Sequence, residues 1–338
     1  MIKETLTQYD IENLIENDAV VIPDGVVYIE STAFADCYYI KSVVIPDSVK
    51  SIGDYAFADC ISLEKVKMGK NVKSIGDFAF LRCRQLKGIN ISKVESIGQY
   101  AFAGCKSLKS ISLYKCAKRV GACAFAECEL LEKIILPISL EYIGSNTFAN
   151  CKNLESVELG DKVREIGAYA FSGCISLKQI DLRSVKYIHQ GAFQSCSSLT
   201  SICGIHLLNI GPLAFKDCVK LSDIKISDSI IGIDSMAFAC CEKITTIKIP
   251  KNLSLLKKDV FEHCEGIEVL YIPHSYKSDL IIEEEAFNHL NNLRKVIIDD
   301  NRTCVSLGLF SGKGPIEFEK INIYNSYYYA GTFSEVKK

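Results

Sequence analysis

The sequence predicts an α/β repeat solenoid, with short parallel strands on one face and short helical or 3-10 turns on the other. Three observations carry this. The string Ala-Phe-x-x-Cys recurs at a fixed period, an apolar Leu or Ile follows each Phe by six residues, and a period-two segment follows that. The Phe residues set the register: Phe34, Phe57, Phe80, Phe102, Phe125, Phe148, Phe171, Phe193, Phe215, Phe238, Phe261, Phe287, Phe310 and Phe333. Their spacing is 22 or 23 residues apart from one step of 26. Fourteen of the sixteen Phe residues thus share one structural slot, which gives about fourteen repeats of roughly 23 residues.

Each slot of the repeat has a packing reason. In LEKVKMG, LKSISLY and LESVELG, apolar Val66 and Met68, Ile111 and Leu113, and Val157 and Leu159 alternate with polar neighbours, the pattern of a half-buried strand. Pro23, Pro46, Pro137, Pro250 and Pro273 follow the strand and end it, because proline cannot donate to a ladder. A second apolar pair, such as Val49 and Ile52, precedes a Gly at 53, 76, 98, 121, 144, 167 and 211, which implies a tight bend or close approach between coils. Phe and Cys three apart fit one face of a short helical turn. No single repeat buries enough apolar surface to offset the entropy of ordering its backbone, so neighbours must stack.

The regular array is assigned to 20–333, preceded by an N-terminal cap at 1–19 and followed by a tail at 334–338. In the cap, Asp10 followed by Ile11, Leu14 and Ile15 reads as a capped amphipathic turn over the first coil. The array becomes irregular after 265, where Leu290 and Lys313 stand in the Cys slot. Ile321 and Ile323 are expected in the last rung.

The unit IPDSVKSIGDYAFADCISLEKVKM resembles the BspA-like, Treponema-type class of leucine-rich repeats, over residues 20 to 265 above all. The resemblance implies a curved, right-handed array and a binding or adhesion role at a cell surface or in secretion, with no shared catalytic residues. The chain given has no signal-peptide pattern and no apolar run long enough for a membrane span. The cellular site is therefore left open. With a formal net charge of −2, nothing in the composition points to nucleic acid.

Eleven of the sixteen Cys, from Cys37 to Cys264, fall in one inward slot and are expected to be free thiols in a core ladder. Cys116, Cys123, Cys203, Cys240 and Cys304 lie off that ladder and are where reactivity would be sought. The five His (His189, His206, His263, His274 and His289) read as sitting at different phases, and no metal, cofactor or catalytic motif is expected. The acids Glu283, Glu284 and Glu285 read as a solvated face.

Function is therefore expected on the surface of the array, as non-catalytic binding of a protein or glycan through outward strand side chains. The candidates are Lys65, Lys67, Asn90, Ser112, Lys133, Glu158, Asp181, Lys225 and Lys248, whose charge alternates along the array. A second candidate is an aromatic stripe two residues before the Phe, formed by Tyr55, Phe78, Tyr100 and Tyr169, which is either a binding stripe or a packing ladder. The alternatives are end-to-end self-association through a terminal strand and Tyr324, Tyr327, Tyr328 and Tyr329, and an enzyme using an off-ladder Cys.

Overall fold

The computed structural model describes residues 4–113, 117–273, 280–299, 310, 313–320 and 329–330. It is a β-solenoid whose residues form two compact units, 1–180 and 181–338. In the first unit the period-two segments form a continuous parallel ladder: Ala19–Val21, Ser42–Val44, Lys65–Lys67, Gly88–Ile89, Ser110–Ser112, Lys133–Ile135, Ser156–Glu158 and Gln179–Asp181. Val43, Val66, Ile89, Ile134 and Val157 point inward and are buried. The flanking residues face out, which is what a period of two requires.

The second apolar pair makes its own row of two-residue strands, an element the repeat pattern alone did not reveal. Tyr28–Ile29, Ser51–Ile52, Ser74–Ile75, Ser96–Ile97 and Arg119–Val120 pair in parallel. The glycine that follows the last four of these strands allows close approach between coils. A Cβ added at Gly98 would stand 2.5 Å from the backbone N of Asp77, and one at Gly121 2.5 Å from that of Gln99.

Among the described residues the Ala-Phe-x-x-Cys segments through Phe287 do not form the expected helical turns. The helical element among the described residues is the 3-10 turn Gln8–Leu14. The Ala-Phe-x-x-Cys segment is non-helical because its backbone reverses handedness on both sides of the Phe. Tyr55 and Asp59 around Phe57, and Cys123 and Glu127 around Phe125, have φ near +57°. Left-handed residues cannot continue a right-handed helix. Their N–H groups are directed between coils instead. Tyr55, Phe57 and Asp59 donate to the carbonyls of Asp77, Ala79 and Leu81 in the next coil, while Ala56, Ala58 and Cys60 donate back three residues within their own.

The core slots behave as the repeat requires. Phe34, Phe57, Phe80, Phe102, Phe125 and Phe148 are fully buried and stack face to face, 4.9 to 5.7 Å between centroids. Ladder Cys residues beyond the first coil also have a hydrogen-bonding task. Cys60 Sγ donates to the Phe34 carbonyl at 3.1 Å, Cys83 to Phe57 at 3.1 Å and Cys105 to Phe80 at 3.2 Å, one coil back each time. Burial disfavours the thiolate at several ladder positions, Cys60 among them. It pushes Cys83, Cys128 and Cys174 well above the usual thiol range and raises Cys151 to about 12. The ladder thiols are free, as expected.

At the N-terminal end the cap begins at Thr7, not Asp10. Asp10 occupies the third helical position and reaches back, accepting from the Thr7 N–H at 2.8 Å and hydroxyl at 2.7 Å. Ile15–Glu16 then folds antiparallel onto Ala19–Val21 through Asn17 and Asp18, whose positive φ values of 49° and 64° suit a two-residue hairpin turn. In the second unit, Glu317–Lys320 extends the parallel ladder from Lys295–Ile298, and Tyr329–Ala330 pairs antiparallel against its far edge. Ile321, Ile323, Tyr324, Tyr327, Tyr328, Cys116, Cys304 and His274 lie outside the described residues.

Candidate functional site

The outward strand residues are where the alternation places them. Lys65 and Lys67 flank buried Val66 and are exposed, as are Asn90, Lys133, Glu158, Asp181, Lys225 and Lys248. Ser112 stands in the ladder opposite Ile135, and its side chain lies outside what the structure describes.

The charges on this face are not equivalent. Lys133 is paired with Glu158 at 2.6 Å, Lys225 with Asp223 at 2.9 Å and Lys248 with Asp228 at 3.2 Å. Arg183 hydrogen-bonds Asp181 and holds its carboxyl below the usual range. The alternating charge expected along the array is thus largely cancelled locally. Lys65 and Lys67 are different, since among the described residues neither forms an ion pair, and the nearby acids Glu64 and Asp47 are paired with Lys87 and Lys70.

The ground around those two lysines is open. In the ladder Lys65 faces Ser42 on one side and Gly88 on the other, and a Cβ added at Gly88 would meet nothing within 4 Å. Beside Lys67 the coil corners enclose a shallow cavity of about 140 Å³, lined by Met68, Gly69, Lys70, Asn90, Ser92 and Lys93 among others. The result is a basic, unobstructed patch with a small recess at its edge, suited to an anionic group on a partner.

The aromatic stripe is only partly assembled. Tyr55, Phe78 and Tyr100 stack at 4.6 and 4.9 Å with nearly parallel planes, so their faces cover one another and their edges meet solvent. Tyr169 is three coils beyond Tyr100, with Cys123 and Asn146 between them in that slot. All four aromatics are left-handed, with φ from 53° to 58°, a strained conformation for bulky side chains. Stacking is the compensation the structure provides for the first three. Faces already occupied in this way do not suit ring-stacking capture of a ligand.

The off-ladder thiols that are described differ in setting, and Cys203 is half-buried in the outward row of Ser201–Gly204. Cys123 is buried, and Cys240 is raised by burial and by the Asp217 carboxylate beside it. A lowered value is what a nucleophilic thiol needs. The reading of the His phases needs one correction. His263 and His289 share the slot two after the Phe, and their rings lie 4.8 Å apart. The spacings Phe261 to His263 and Phe287 to His289 carried that signal. Among the described residues no group of three or more His, Cys, Asp or Glu is arranged to hold a metal ion. Glu283 is a local acceptor for the Lys258 N–H.

Comparison with known proteins agrees with this architecture. A leucine-rich repeat protein from Bacteroides ovatus is 25% identical, with a TM-score of 0.54 and coverage of 90% of this chain and 92% of that one. One from Eubacterium ventriosum is 21% identical, with a TM-score of 0.52 and coverage of 86% and 85%. A leucine-rich cell surface protein from Faecalibacterium prausnitzii is 22% identical, with a TM-score of 0.43 and coverage of 87% and 92%. No curated protein matches the chain. No helix among the described residues is long and apolar enough to cross a membrane. The family model for the BspA type leucine rich repeat region matches residues 6–132, 118–204 and 208–337, and the chain belongs to that family.

Proposed function

We propose that the chain is a non-catalytic binding module that engages an anionic protein or glycan through its outward strand face, centred on Lys65, Lys67 and Asn90. The observation that carries this is the contrast in pairing: Lys133, Glu158, Asp181, Lys225 and Lys248 are engaged locally, whereas Lys65 and Lys67 form no ion pair among the described residues, their neighbours Glu64 and Asp47 being taken by Lys87 and Lys70. Keeping two ammonium groups side by side without an acid between them is unfavourable in isolation, and an acidic partner relieves it. Membership of a repeat family whose members are generally non-catalytic fits the same reading.

The test is binding to a panel of sulfated, sialylated and neutral glycans and of acidic and neutral peptides. Lys65→Glu with Lys67→Glu is expected to weaken the best binder at least tenfold and to flatten its salt dependence, and Lys133→Ala with Glu158→Ala to change it less than twofold. Full affinity in the Lys65/Lys67 double variant rejects this face. Self-association through an exposed terminal edge is less favoured, because Tyr329–Ala330 occupies the far edge of Glu317–Lys320.

A further inference from the structure

In the second unit both strand rows stop at the same junction. Asp223–Ile226 pairs back with Ser201–Gly204, and Thr246–Lys248 pairs forward with Val269–Ile272, yet they do not pair with each other. Gly232–Ile233 and Leu255–Leu256 likewise pair outward, to Asn209–Ile210 and Ile281–Ile282, and not together.

On the turn side the same two coils stay joined. The N–H groups of Phe238 and Cys240 donate to the carbonyls of Val260 and Glu262 at 3.0 and 2.7 Å, and Cys264 Sγ donates to the Phe238 carbonyl at 2.9 Å. The junction is therefore a wedge, closed along the turns and pinned at the corner, where the Asn252 N–H donates to the Asp228 carbonyl at 3.3 Å, and open along the strands themselves. The Phe238 and Phe261 rings reflect this, standing 5.9 Å apart and 17° from parallel.

The wedge holds a cavity of about 250 Å³ that reaches from the strand face to those two rings. Ile224, Ile226, Ile233 and Ile247 line it together with Phe238 and Phe261. Ile224 and Ile226 are half-buried, whereas Ile202 and Leu270 in the neighbouring inward slots are buried. At the rim stand Lys225, Lys248 and Asp228, beside two strand edges whose backbone groups lack the ladder partners found elsewhere. The Lys248–Asp228 pair is exposed, so an incoming anion can replace Asp228 at little cost.

We propose that this wedge is a small-molecule site for an amphipathic carboxylate, a medium-chain fatty acid or a compound of that shape. The apolar tail would lie between the coils against the isoleucines and the Phe pair, and the carboxylate would take the Lys248 ammonium and the free edge N–H groups. Size supports the class. An apolar cavity of about 150 Å³ accepts benzene, so this one accommodates a chain of roughly eight carbons. The site is separate from the Lys65 face and stands whether or not that face binds a partner.

Titration of the full chain with octanoate, followed by calorimetry and amide exchange, tests it. One saturable site is expected, with a dissociation constant on the order of 0.1–1 mM for so small a ligand. Exchange should slow at 224–226 and 246–249. Ile226→Trp, which fills the cavity from a half-buried position, should weaken octanoate at least tenfold, and Lys248→Glu at least fivefold while leaving octanol unchanged. If Ile226→Trp does not fold, the exchange pattern of the native chain decides. Absence of saturation below about 10 mM, slowing elsewhere or nowhere, full affinity in a folded Ile226→Trp, or octanol binding as tightly as octanoate would each overturn the proposal.

Discussion

The two units use the same repeat slots and differ in how firmly their coils are joined. From Ala19 to Ile180 the long strand row is unbroken, although the short row stops between Arg119–Val120 and Tyr142–Ile143. In the second unit both rows stop together, between Asp223–Ile226 and Thr246–Lys248 and between Gly232–Ile233 and Leu255–Leu256. The glycine slot four residues before the Phe follows this difference. It is Gly in coils 53 to 167 and again at 211, but Asp234, Lys257 and Glu283 hold it further on. A Cβ at this slot collides with the preceding coil at Gly53, Gly76, Gly98, Gly121 and Gly167 in the first unit. The double break falls where two adjacent coils within the unit first both lack it, at Asp234 and Lys257. The next pair, also without glycine, keeps its short ladder in a coil lengthened to 26 residues. Close stacking is thus a property of the small slot as much as of the large apolar ones.

The largest test of that comparison is alkaline pH. Burial raises the ladder thiols above their open-chain value of about 8.5, so the unfolded chain loses protons first as pH rises. Stability is intact below about pH 8.5 and falls toward the folded values, by about 1.4 kcal/mol per pH unit for each thiol. The window extends at least to the values of about 12 at Cys151 and Cys264. The first unit carries Cys60, Cys83, Cys128, Cys151 and Cys174, and the second Cys218, Cys241 and Cys264. Urea midpoints between pH 8 and 10 should therefore fall steeply, with the first unit losing more. A flat profile across that range contradicts the thiol ladder.

Next in size is truncation of the ring stack. Phe102→Ala removes a buried ring stacked on both sides and should cost about 3–5 kcal/mol. Phe261→Ala, beside the existing wedge, should cost about 1 kcal/mol less, since a cavity already lies against that ring. Equal losses in denaturant titrations would mean that the wedge is not open in solution. Smallest is the glycine slot itself. Gly98→Ala should cost about 1–3 kcal/mol by forcing the coils apart, while Asp234→Ala should cost under about 1 kcal/mol, the worth of a partly exposed ion pair.

The period, the Phe and Cys slots and the outward strand rows were legible because each repeats about once per coil and obeys a simple periodicity. The turns were misjudged for a physical reason. Ala-Phe-x-x-Cys has helical spacing, and only the neighbouring coil, which takes alternate N–H groups, makes left-handed Tyr55 and Asp59 the better solution. The short strand row was hidden because two residues are too few for an alternation to show. At the candidate face, the exposure of Lys65 and Lys67 followed from sequence, but their lack of acids did not, since ion pairs such as Lys133 to Glu158 join residues 25 apart. The wedge at Phe238 was invisible for a similar reason. It is a missing interaction between coils whose own slots look ordinary.

The turn columns also have an electrical consequence. The inter-coil N–H groups around the Phe, as at Tyr55, Phe57 and Asp59, point toward the later coil, whereas those leaving the turn, as at Ser107 and Asn153, and those entering the strands, as at Lys50, Gly53 and Lys73, point toward the earlier one. The peptide dipoles on the two sides of a coil therefore run in opposite directions and offset each other. Unlike an α-helix, a stack of such coils accumulates no pole at either end. Charged ligands find no backbone field at those ends, so long-range attraction has to come from side chains, and a pair of lysines without ion pairs weighs the more for it.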